Sequence, residues 1–133
     1  MLAVGVSACT DVTGFGLLGH LHEMAKASGV AAEVAAENVP VFDEIWDLMA
    51  QGAVPEGTHN NLRFLADWAD WNDAPRNTQI VLADAQTSGG LLMAVAPERA
   101  AALREALGRA DVQAAEIGRI IAGPAGRIRV RAG

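Results

Sequence analysis

Apolar residues in this chain change their spacing again and again. Some stretches repeat them every three or four positions, others gather them into blocks of four to eight, and glycine-bearing polar turns separate the two kinds. A chain with that alternation, and with no internal repeat or linker, folds as strands and helices layered on one another. Leu17, Leu18, Leu21, Met24 and Ala25 recur at helical spacing before Gly29, predicting a helix over about 15–28 with Thr13 as its N-cap. Ala31 to Val39 reads as a strand ending at Pro40, and Val41 to Ala50 reads as a helix with Phe42, Ile45, Trp46 and Met49 on one face. Gln51 to Thr58 reads as a loop. Leu62, Leu65, Ala66 and Ala69 suggest a further helix, which Trp71 to Asn77 breaks. Gln79 to Ala83 fits either a helix or a strand. Leu91 to Ala96 reads as a strand, and Pro97 sits in the first turn of a helix running to about Leu107. Two strands, Ala115 to Ile121 and Arg127 to Val130, flank the turn Gly123-Pro124-Ala125-Gly126 as a hairpin. The fold class is therefore α+β (α/β layered), a mixed β-sheet flanked by helices, and the 133 residues suit one domain.

Composition narrows the function. The formal charge of −6, with Lys26 as the sole lysine, speaks against a nucleic-acid partner, because phosphate backbones are met by clustered Lys and Arg. The single cysteine, Cys9, leaves no internal disulfide and no four-thiolate zinc site, which favours a cytoplasmic setting. No apolar run approaches the roughly 20 residues that cross a bilayer, and the start lacks the pattern of a signal peptide, so neither membrane insertion nor secretion is expected.

Two turns carry chemistry. Thr10-Asp11-Val12-Thr13-Gly14-Phe15-Gly16 places an acid and two hydroxyls where a strand gives way to a helix. Free backbone N–H groups at such a junction favour an anion, and glycines let the chain come close to it. A carboxylate would repel phosphate directly, so its chemical use there is to hold Mg²⁺ bridging to phosphate oxygens. Capping the helix, the commoner role for such residues, satisfies the same spacing. Asp84-Ala85-Gln86-Thr87-Ser88-Gly89-Gly90 is a hydroxyl-bearing glycine turn feeding a buried strand, and either a ligand cradle or a structural turn accounts for it. Neither is a P-loop, since no lysine follows the glycines.

Other features read blandly. Cys9 has no basic neighbour to activate it and fits a small buried apolar residue. His20, His22 and Glu23 lack the four-residue spacing of a helical metal pair and suit surface or cap roles. Trp46, Trp68 and Trp71 suit core or partner contacts. Arg127, Arg129 and Arg131 share one face of a strand, where they could attract an anion but more often form a solvated edge.

The strings ACTDVTGFGLLGHLHEMA at 8–25 and QTSGGLL at 86–92 resemble the signature stretches of the carboxy-terminal domain of selenide, water dikinases (selenophosphate synthetases). Val39-Pro40, Gly57-Thr58 and Asn60-Asn61 are similar to that family too, so the resemblance covers nearly the whole chain. It implies the mixed-sheet fold of the carboxy-terminal domain of aminoimidazole ribonucleotide synthetase-type enzymes. It also implies phosphotransferase chemistry in which ATP, selenide and water give selenophosphate, AMP and phosphate. Asp11 is implied as a Mg²⁺ ligand, with Thr10, Thr13, Gly14 and Gly16 shaping its turn and Thr87, Ser88, Gly89 and Gly90 lining the second. The family's amino-terminal domain, absent from this chain, holds a catalytic Cys or selenocysteine followed by Lys, further metal-binding aspartates, most ATP contacts and the homodimer contact. The expectation is a domain inactive alone, and the alternative is a standalone binding or self-association module. One departure stands out: the family usually has Asp-Pro where this chain has Asp84-Ala85, which removes a fixed φ and loosens that turn.

Overall fold

The structure, a computed structural model, describes residues 3–133. In chain order it has β1 (Ala8–Asp11), α1 (Gly16–Ala27), β2 (Ala31–Ala35), α2 (Ile45–Ala50), α3 (Glu56–Leu65), β3 (Ala69–Asp70), α4 (Arg76–Leu82), β4 (Leu91–Ala94), α5 (Pro97–Arg109), β5 (Gly118–Ile121) and β6 (Ile128–Arg131). The mixed sheet flanked by helices stands as expected. Four strands form it in the order β3-β6-β2-β5, and β1 and β4 form a separate antiparallel ribbon.

β2 lies at the centre, and its five residues, Ala-Ala-Glu-Val-Ala, are all buried, with three alanines keeping it slim enough to be covered on both sides. It pairs antiparallel with β5 and parallel with β6. The expected β5–β6 hairpin therefore does not form, since β2 lies between the two strands. The segment Gly123–Gly126 arches over the end of β2 instead, and Gly126, at φ +82°, donates its N–H to Val30 O at 2.8 Å. The arginine row is corrected with it. β6 is an inner strand, and Arg129 and Arg131 join Arg119 of β5 around the buried carboxylate of Glu33, with N···O distances of 3.7, 3.4 and 2.9 Å. Arg127 donates to Asp67 O.

The other face of the sheet carries the core. Leu18, Leu21, His22 and Ala25 follow one another at helical spacing and bury one face of α1. Leu18 and Leu21 share one core with Leu62 and Leu65 of α3, Leu82 of α4, and Val34, Ile128 and Val130 of the sheet. Gly29, at φ +67°, ends α1 in the left-handed conformation. His22 is thus no surface residue. It is fully buried, its Nδ1–H donates to Gly126 O at 2.9 Å, and its ring packs against Trp68 and Phe64, while Nε2 has no hydrogen-bond partner among the described residues.

Local boundaries differ where propensity was weak. The helix expected over 41–50 shrinks to α2, which buries none of its residues and leaves Phe42 85% and Trp46 42% exposed. α3 starts earlier than the expected loop allowed, directly after Pro55, and Ala69 belongs to β3. Gln79 to Ala83 resolves as the end of α4. Among the described residues no helix is long and apolar enough to cross a membrane.

Candidate metal and nucleotide site

The ribbon brings the two glycine turns together. Asp11 of β1 pairs with Leu91 of β4, so one strand leads into the first turn while its neighbour leaves the second. Backbone hydrogen bonds continue beyond the strands, from Val12 N–H to Gly90 O at 2.9 Å and from Gln86 N–H to Thr13 O at 3.2 Å. Two glycines make this closeness possible. A Cβ on Gly89 would lie 2.3 Å from Val12 O, and one on Gly16, whose φ is +70°, would lie 2.7 Å from both Ala83 O and Asp84 O. No side chain fits at either position, so the glycines serve contact between the turns.

α3 supplies the third support. Thr58 is fully buried, donates its hydroxyl to Asp84 Oδ1 at 2.8 Å and accepts the Ala85 N–H at 3.1 Å. Gln86 Nε2 donates to the other Asp84 oxygen at 2.6 Å. Asn61 Nδ2 donates to Gly14 O and to Ala83 O, both at 2.9 Å. The Ala85 bond bears on the departure from the family's Asp-Pro. Proline has no N–H to give Thr58, so the restraint lost with the ring is replaced here by a hydrogen bond.

Thr13 does not cap α1. Phe15 occupies the N-cap position without a side-chain hydrogen bond, because Thr13-Gly14-Phe15 forms a turn that delays the helix to Gly16. Thr13 Oγ1 is instead hydrogen-bonded to His20 Nε2 at 2.9 Å, and the Phe15 ring lies 5.5 Å from the His20 ring. His20 thereby steadies the turn from inside α1.

Asp11 is exposed, and among the described residues its carboxylate makes no hydrogen bond or ion pair. Strand alternation puts Cys9 on the same face, and Cys9 is exposed rather than buried as its small size suggested. Leu91, opposite Asp11 on β4, is 59% exposed, and Phe15 of the first turn is 61% exposed. Thr10 is half-buried with its hydroxyl on Asp11 O, while Thr87 and Ser88 stand exposed at the tip of the second turn. A Cβ on Gly14 or Gly90 would meet nothing within 4 Å, so the turns are open on their outer side. The structure thus gathers Asp11, Thr13, Gly14, Gly16, Gly89 and Gly90 and leaves Thr87 and Ser88 at the margin. Thr58, Asn61 and Asp84 join the site although the sequence reading gave them no site role. Their signal in the sequence was the similarity of Gly57-Thr58 and Asn60-Asn61 to the family and the place of Asp84 at the start of the second turn.

Among the described residues no three His, Cys, Asp or Glu side chains are grouped to hold a metal. Of two grooves of about 200 and 220 Å³, the first reaches Asp84 and neither includes Asp11. A lone exposed carboxylate suits a hard cation that draws its other ligands from water and phosphate, which is how Mg²⁺ is usually held.

The sequence pattern of the carboxy-terminal domain of AIR synthase related proteins matches residues 1–131. The chain belongs to that family. It is 44% identical to a selenide, water dikinase of Carboxydothermus hydrogenoformans over 132 residues, which are 98% of this chain and 38% of that protein. It is also 44% identical to a selenide, water dikinase of Treponema denticola over 110 residues, 83% of this chain and 31% of the relative. The chain therefore spans about a third of the length of these curated relatives. Hydrogenase maturation protein HypE, solved in complex with ATP, superposes on 99% of this chain with a TM-score of 0.58 at 25% identity, and 34% of that chain is covered.

Proposed function

We propose that this chain is the carboxy-terminal part of a selenide, water dikinase, contributing one Mg²⁺ ligand and one wall of the ATP cleft. The observation that carries this reading is Asp11, an unpaired exposed carboxylate at the open end of two interlocked glycine turns. In the reaction, ATP, selenide and water yield selenophosphate, AMP and phosphate. Mg²⁺, when bound, neutralises charge on the polyphosphate. Asp11 holds the cation at the strand end, and the Thr10, Thr13, Gly14 and Gly16 segment keeps the backbone close enough for phosphate oxygens to approach. Thr87, Ser88, Gly89 and Gly90 form the facing rim. The exposed Phe15 and Leu91 suit burial against the amino-terminal part, which would bring the remaining carboxylates, most ATP contacts, the catalytic Cys or selenocysteine and the homodimer contact. Selenide chemistry and a lone cysteine both fit a cytoplasmic enzyme.

This chain alone should not turn over ATP. Mixed with a separately made amino-terminal half, it should restore selenide-dependent AMP formation, followed by nucleotide chromatography. Asp11→Asn should lower that rate at least a hundredfold, by removing a charged metal ligand. Undiminished activity in the variant would refute the role of Asp11.

A further inference from the structure

We infer that Asn61 is a positioning residue of the metal and nucleotide site, whose side-chain amide ties the Asp11 turn and the Thr87–Gly90 turn into one unit. The inference deepens the reading above and rests on it for the ligand.

Asn61 lies on α3, half-buried, and its Nδ2 carries two hydrogens. Each meets a carbonyl oxygen at 2.9 Å, one on Gly14 just past Asp11 and one on Ala83 just before the second turn. Two acceptors leave no choice about which way the amide faces. Carbonyl oxygens repel when brought together, so joining them takes one atom that donates twice. Among the described residues no other side chain is hydrogen-bonded to both segments: His20 holds only the first, and Thr58 holds only the second. The other links between the turns are the backbone bonds of Val12 and Gln86. Asn61 therefore sets the spacing of the two turns from a rigid helix, without touching the ligand. Mg²⁺ demands near-octahedral geometry and tolerates little displacement of its ligands, so that spacing governs affinity.

Two substitutions separate this role from simple structural support. Asn61→Asp puts a carboxylate against both carbonyls, and Asn61→Ser shortens the side chain beyond reach. Amide hydrogen exchange of the metal-free chain should quicken about tenfold at Val12 and Gln86 in both variants, while Ala32 and Val34 of β2 keep their wild-type rates. Unchanged exchange at Val12 and Gln86, or equal acceleration in β2, would overturn the inference. Mn²⁺ added with ATP should broaden the Asp11, Gly14 and Gly90 signals of the wild type and need about tenfold more metal in Asn61→Asp. A wild-type midpoint in Asn61→Asp, with broadening lost in Asp11→Asn, would overturn the inference and leave the metal reading intact. No broadening near Asp11 in the wild type would defeat the metal reading, and the exchange rates would still decide the role of Asn61.

Discussion

The four-stranded sheet and the β1–β4 ribbon are built on opposite plans. In the sheet, β2 is buried along its whole length, with strands on both sides and helices over one face. The ribbon has two strands of four residues each, and β1 alternates between half-buried and exposed positions. Two-stranded ribbons are marginal by themselves, and this one holds its shape through the glycine contacts and hydrogen bonds at its ends. The molecule thus keeps most of its buried core in one place and the exposed carboxylate of Asp11 in another. An exposed Asp11 costs the fold little, because the ribbon's strands send only Leu92 into the core.

That division can be broken deliberately. The largest effect should come from the sheet: Ile128 is fully buried on an inner strand, and Ile128→Ala should cost about 3 kcal/mol in denaturant unfolding. A smaller loss, about 1 kcal/mol, is expected for Glu33→Gln, which leaves Arg119, Arg129 and Arg131 facing one another without their shared carboxylate. The arginines are 57–72% exposed, so added salt should shrink that difference. The smallest effect belongs to the ribbon, where Leu91→Ser should change stability by less than about 0.5 kcal/mol. It should nevertheless weaken co-purification with the amino-terminal half. A ribbon substitution that unfolded the chain as readily as Ile128→Ala would erase the distinction.

How much of this the sequence revealed follows the same line. α1 was legible because its apolar spacing and Gly29 agree, and the two turns because glycines beside hydroxyls are locally distinctive. The β5–β6 hairpin was misread because Gly123-Pro124-Ala125-Gly126 has hairpin chemistry, while the residues that decide the pairing sit far off in β2. The arginine row was misread for the same reason, since its partner Glu33 belongs to that distant strand. Cys9 and His22 exchanged their expected burial: size and polarity are averages, and strand alternation and helix phase place the individual residue. Asn61 stood out only as part of the Asn60-Asn61 pair similar to the family, and its role stayed hidden because a donor shared by two remote carbonyls forms no pattern along the chain.

The most direct test is a crystal structure of this chain joined to an amino-terminal half, grown with Mg²⁺ and a non-hydrolysable ATP analogue. The expected result is a cation about 2.1 Å from an Asp11 carboxylate oxygen, sharing its coordination with the polyphosphate beside the paired glycine turns. A nucleotide and metal bound with Asp11 still turned to solvent would contradict it.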